Sequence, residues 1–123
     1  MKNFKVGAEL RKILLADKAV AGKLQDKVFP LVANAGTTFP FLVYKRSAYM
    51  PASNKDYQSE MVDIEIAIAT QRYDEGVDIA DAVANCLNHK QTDIIENIEI
   101  SNIYEDYQQD TFLQRINIQI ELK

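Results

Sequence analysis

Thr111-Phe112-Leu113-Gln114-Arg115-Ile116-Asn117-Ile118-Gln119-Ile120-Glu121-Leu122 decides the fold. Apolar side chains at Ile116, Ile118, Ile120 and Leu122 alternate with Arg115, Asn117, Gln119 and Glu121. That two-residue period belongs to a strand with one buried and one wet face. Val62, Ile64, Ile66 and Ile68, alternating with Asp63, Glu65, Ala67 and Ala69, give a second strand of the same kind. Strands with a single apolar face fit an antiparallel sheet whose core side is covered by helices.

Working outward, Ile94–Glu105 reads as a strand with Ile98 and Ile100 inward, and Asp106–Asp110 as a polar turn. Asp74-Glu75-Gly76 opens a helix whose apolar stripe is Val77, Ala80, Val83, Ala84 and Leu87; its acidic first turn and His89 and Lys90 beyond its end suit the helix dipole. Near the start, Asn3 is a candidate cap for a helix with Val6, Leu10, Ile13 and Leu14 on one face, ending near Asp17. A short helical turn over Ala19–Leu24 is weakened by Gly22. Val28-Phe29-Pro30 is a brief extended piece, because proline pushes its predecessor out of the helical region. Phe39–Lys45 reads as a strand, and the aperiodic Arg46–Ser59 as a long loop. The expected fold is one α+β domain over residues 1–123: a mainly antiparallel sheet of about four strands with two helices packed on one face.

Composition narrows the class. The chain has 123 residues, 14 basic and 18 acidic side chains, and a single cysteine, which excludes an intrachain disulfide scaffold. No apolar run approaches the ~18–20 residues that span a bilayer, and the first residues lack the apolar stretch of a signal peptide. Charge is segregated: residues 1–27 hold seven basic and three acidic side chains, the remainder seven and fifteen. Between Gln91 and Gln114 there is no lysine or arginine. An acidic surface of this extent is poorly suited to gripping DNA phosphates, whereas a positive and a negative end suit head-to-tail contact between subunits.

The residues with chemical potential are scattered. His89 is the only histidine, so a His/Cys metal cluster within one chain is absent; Cys86 lies on a helix, one turn from Val83 and one before Lys90, and reads as a small buried or half-buried side chain. Asp63 and Glu65 share the polar face of a strand without any sign of a pocket. Glu105, Asp106 and Asp110 lack the ligand spacing and glycine of a calcium loop, and the four glycines form no phosphate-binding fingerprint. The expectation is a protein without enzymatic activity, cofactor or metal.

Several phrases, in this order, resemble the small tail-completion (tail terminator, head–tail joining) proteins of long-tailed bacteriophages and prophages. They are the helix ending Leu14-Leu15-Ala16-Asp17, then Val28-Phe29-Pro30, then Gly36-Thr37-Thr38-Phe39-Pro40-Phe41-Leu42-Val43-Tyr44. A strand of the Val62–Ile68 type follows, with the acidic helix phrase Ile79-Ala80-Asp81-Ala82-Val83 and the turn region Tyr104-Glu105-Asp106-Tyr107-Gln108-Gln109-Asp110-Thr111. The resemblance covers nearly the whole chain. It implies a virion protein, made in the bacterial cytoplasm, that forms a ring, commonly a hexamer, on the finished tail tube and meets the head connector. Alternatives of similar size are another head-completion or tail-tube protein, or a small binding module that uses its sheet face. The family supplies no transferable site residue, so contacts are placed by physics. Arg46, Tyr49, Met50 and Tyr57 in the long loop are candidates for contact with a neighbouring subunit or the tail tube, since aromatics, Met and Arg are enriched in interface cores. Glu96, Glu99 and Glu105 are candidates for a lumen lining that lets DNA pass without sticking.

Overall fold

The computed structural model describes residues 2–52 and 59–123, and it is an α+β fold of three helices and one five-stranded sheet. In chain order the elements are α1 (Lys2–Ala16), α2 (Lys18–Leu24), β1 (Val28–Pro30), β2 (Phe41–Met50), β3 (Met61–Thr70), α3 (Tyr73–Leu87), β4 (Ile95–Gln108) and β5 (Thr111–Leu122). The spatial order is β1-β2-β3-β5-β4, antiparallel throughout except for the parallel β1–β2 pair.

The two strands with the clearest alternation lie side by side at the centre. Their register sets Val62 against Ile120, Ile64 against Ile118 and Ile66 against Ile116, all essentially solvent-free. On the same face, Leu42 and Tyr44 of β2 and Ile95 and Ile98 of β4 complete an apolar floor. Val6, Leu10, Ile13 and Leu14 of α1, Val20 and Leu24 of α2, and Ile79, Val83 and Leu87 of α3 cover that floor. The opposite face carries no helix.

Several boundaries differ from the sequence expectation, each for a physical reason. The sheet has five strands because Val28–Pro30 pairs in parallel with Leu42–Tyr44, a non-local pairing that three residues cannot announce locally. A third helix, α2, forms because Asp17 caps it, its carboxylate accepting the Val20 N–H at 3.1 Å. Asn3 lies in the first turn of α1, buried, rather than serving as its cap. On α3 the inward face is Gly76, Ile79, Val83, Cys86 and Leu87, and Val77 is 40% exposed. The helix is rotated because Gly76, without a side chain, lets its backbone sit against Thr70 and Gln114. Arg46–Met50 is not loop but the second half of β2, paired with Met61–Ile64 across a bulge between Arg46 and Ala48. The extra residue breaks the alternation that would have marked a strand. Likewise β4 continues through Gln108, and only Gln109 and Asp110, both at positive φ, make the turn.

An ideal Cβ on Gly76 falls 2.9 Å from Oγ1 of the fully buried Thr70, whose hydroxyl donates to the Arg72 carbonyl. Gly76→Ala therefore lowers stability by roughly 1–2 kcal/mol, because overpacking outweighs the better helix propensity of alanine. Urea unfolding monitored by circular dichroism checks it; an unchanged or higher midpoint refutes the contact.

Candidate interfaces at the two edges of the sheet

The described residues that could do chemistry do not converge. Cys86 is buried with its thiol 3.8 Å from the Ile13 carbonyl, and burial, followed by the nearby Asp17, pushes its pKa up to about 11. A thiol held protonated in this way is a packing group, not a nucleophile. His89 lies just past α3 at positive φ, its ring 3.4 Å from the Asn97 side chain. Among the described residues no group of three His, Cys, Asp or Glu could hold a metal ion. No helix among them is long and apolar enough to cross a membrane.

What the surface does show is two unlike sheet edges. One edge is β4, a strand of 14 residues without a basic side chain. Its lower part is occupied: the His89 N–H donates to the Ile98 carbonyl at 2.8 Å. Along its upper part Ile103, Tyr104 and Tyr107 are 54%, 42% and 56% exposed. Beside it, Tyr73 and Val77 on one face of α3 are exposed as well. The patch is braced from within. Glu105 accepts from the Tyr73 hydroxyl at 2.8 Å and from the Gln114 amide at 3.0 Å, while Phe112 packs edge-on to Tyr73 and against Tyr107. These hydrogen bonds, Gln114 first, hold the Glu105 pKa below its ordinary value, and the same carboxylate raises that of Tyr73. Asp106, on the opposite face, accepts from Arg115 at 3.2 Å.

The other edge is made by β1 alongside the first half of β2, and by β2 alone from Lys45 to Met50. It is basic: Lys45 pairs with Glu65 at 3.3 Å, and Arg46 donates to the Asn3 carbonyl at 2.8 Å while its guanidinium lies 4.8 Å over the exposed Phe4 ring. Arg11 braces it by donating to the Val28 carbonyl. Leu31 and Val32, following β1, are 71% and 73% exposed. The large exposed apolar side chains of the described residues therefore fall at these two edges, Phe4, Leu31 and Val32 at one and Tyr73, Val77, Ile103, Tyr104 and Tyr107 at the other.

Of the contact candidates, Arg46, Tyr49 and Met50 lie on β2 at the basic edge, Tyr49 donating to Glu60 at 2.7 Å, and Tyr57 lies outside the described residues. Glu96, Glu99 and Glu105 are all exposed on the acidic edge strand but do not share a face: by register Glu99 opposes Gln119 on the helix-free side, and Glu105 opposes Gln114 on the helix side. Sequence reasoning missed the Tyr73–Val77 and Leu31–Val32 patches. Nothing in a lone apolar residue says whether a neighbour covers it.

Comparison with known proteins gives a consistent picture. The family model described as "Tail completion protein gp17" matches residues 8–122. None of the curated protein sequences matches. A chain of the structure titled "Virion of native gene transfer agent (GTA) particle" is 14% identical, over 94% of this chain and 92% of that one, with a TM-score of 0.80, and so shares the fold. A chain of "Cs H-NOX mutant with unnatural amino acid 4-cyano-L-phenylalanine at site 5" is 15% identical over 99% of this chain and 58% of that one, but its TM-score of 0.30 carries no argument.

Glu105→Ala removes the carboxylate whose hydrogen bond and charge raise the Tyr73 pKa, so the Tyr73 titration moves down toward the ordinary tyrosine range. A pH titration of the ring by NMR reads the shift, and an unmoved Tyr73 refutes the bracing. The sign also fixes the acid behaviour. Because the folded pKa of Glu105 is lowered, its contribution is present above the ordinary carboxylate value and lost as pH falls through the folded value.

Proposed function

The chain belongs to the tail completion protein gp17 family, and from that membership we propose that it closes the end of a phage-type tail tube as a ring of identical subunits, commonly six, and joins the tube to the head. One observation carries the ring: the two lateral edges of the sheet differ in charge and each exposes apolar side chains. Unlike, complementary edges favour a heterologous, head-to-tail contact, which generates a closed ring when the rotation per subunit closes. The fold shared with a chain of a gene transfer agent virion supports a place in a particle of phage type.

In this reading the protein does no chemistry and takes no cofactor; its partners are the tail-tube protein, the head connector and further copies of itself, in a virion of a phage or prophage. The helices lie outside and the helix-free face lines the channel. That face carries Asp63, Glu65, Glu99, Asp106 and Glu121 against Lys45 and Arg115, an acidic surplus that lets DNA slide without counterion-driven binding. Glu99 belongs to this lining and Glu105 to the contact between subunits. Removing the gene should leave filled heads and finished tails unjoined in the electron microscope, with joining restored by the supplied protein. Fully joined particles in its absence overturn the reading.

A further inference from the structure

Resting on the ring reading, we propose that neighbouring copies join by strand addition: the upper half of β4 in one copy pairs antiparallel with the free second half of β2 in the next, in one defined register.

The main chain supplies the first argument. In a two-residue hairpin the closing pair is hydrogen-bonded, here Gln108 with Thr111, and antiparallel ladders alternate from there. Counting back, Tyr107, Glu105 and Ile103 direct their N–H and C=O groups away from β5. The same count across the bulge at Ile100/Asn102 directs Ile98 outward, which is where its carbonyl accepts the His89 N–H. Below Ile100, then, the edge is closed, and above it a row of unpaired main-chain groups is exposed beside apolar side chains. Such an edge is a template for another strand. On the far side of the sheet, Leu42 and Tyr44 use their outward groups on β1, since the Leu42 N–H meets the Lys27 carbonyl and the Tyr44 carbonyl meets the Leu31 N–H. The next outward position on β2 is Arg46, and after the bulge Tyr49. Because β2, β3, β5 and β4 alternate in direction, β4 runs opposite to β2, so copies in the same orientation meet antiparallel.

Side chains select the register. Setting Glu105 opposite Arg46 of the next copy places both on the helix face, and it simultaneously places Asp106 opposite Lys45 on the helix-free face. Both cross-strand pairs join opposite charges. Across the junction the helix-free charges Arg115, Asp106, Lys45 and Glu65 then form a chain alternating in sign, with Arg115 reaching Asp106 diagonally from the Tyr104 level, and this extends the two ion pairs already present. Two residues further, Ile103 meets Tyr49, the bulge absorbing the extra residue. Pairing stops at Asp106 and Lys45, because Tyr107 and Gln108 come level with Tyr44 and Val43, where Pro30 and Phe29 of β1 already stand, and the hairpin tip turns off the sheet there beside Leu31 and Val32. Slipping the register by two brings Asp106 opposite Ser47 and leaves Lys45 unpaired across the junction.

The stagger is independently sensible. Asp106, Leu113, Ala69 and Phe41 form one row within a copy, and the junction places Asp106 opposite Lys45, four residues beyond Phe41. A shift of about one residue for each of the four long strands is the ratio found in closed eight-stranded barrels of shear eight, whose strands tilt by about 36°. A continuous sheet staggered in this way closes without abnormal tilt, whatever the number of copies.

Disulfide capture tests the register. Lys45→Cys and Asp106→Cys in one chain occupy a close, non-hydrogen-bonded pair, and the buried Cys86 remains as a silent thiol. Oxidised at about 1 mM protein, a concentration that captures even weak association, this variant should give a ladder of covalent multimers on a non-reducing gel. Lys45→Cys combined with Glu99→Cys, far out of register, should not. In parallel, Lys45→Glu and Asp106→Lys should each weaken association about tenfold by sedimentation, and the two together should restore it to within about threefold; circular dichroism confirms that each variant is folded. A ring in solution that forms no in-register disulfide, or that ignores the charge reversals, overturns strand addition and leaves the ring intact. A folded wild-type chain that does not associate, together with a double-cysteine variant that gives no multimers, overturns both.

Discussion

The pairing of β3 with β5 is the constraint on which the rest of the structure depends. It aligns Val62, Ile64 and Ile66 with Ile120, Ile118 and Ile116 on one face, and full burial of each such side chain is worth about 1.5–3 kcal/mol. No helix in this chain could stand without that floor. α2 has seven residues and α1 and α3 fifteen each, lengths at or below the margin for an isolated helix in water. The floor orients α3 through the missing side chain of Gly76 and orients α1 through Leu10 and Leu14.

From a central pair that is saturated on both sides, the unsatisfied groups are pushed outward to the lateral edges. β1 is too short to cover β2, and the His89 turn reaches only the lower part of β4. Two open half-edges remain, on opposite sides of the sheet, one acidic and one basic, each with apolar side chains in water. A monomeric protein normally blunts such edges with charge on the strand, proline or cover. Here the hairpin above β4 is instead stiffened by Tyr73, Phe112 and the Glu105 hydrogen bonds. A braced, exposed edge is what the proposed contact between copies requires.

The same logic accounts for the scattered reactive groups. Cys86 is held protonated by burial against α1, and His89 spends its backbone on the edge of β4. The carboxylates with lowered pKa values, Glu105 and Asp74, are tied to local hydrogen bonds, with Gln114 and Tyr73 for the first and Arg72 for the second. These charges are held in local hydrogen bonds, and the candidate site is a pair of surfaces instead of a pocket.

β3, β5 and the existence of α1 and α3 were legible in the sequence, because side-chain period reports directly which face of an element is buried. The charge segregation and the family phrases were legible too. The second half of β2 was not, since one extra residue at Ser47 disrupts the period, and neither was the inward face of α3, where an apolar Val77 points outward and a glycine points in. The sequence by itself thus determined the elements and the side of the sheet that is core. Only the tertiary structure decided the strand order, and with it the placing of Glu105 and Arg46 on opposite open edges. Periodicity is a local property of the chain, whereas an edge exists only once distant segments have chosen their partners.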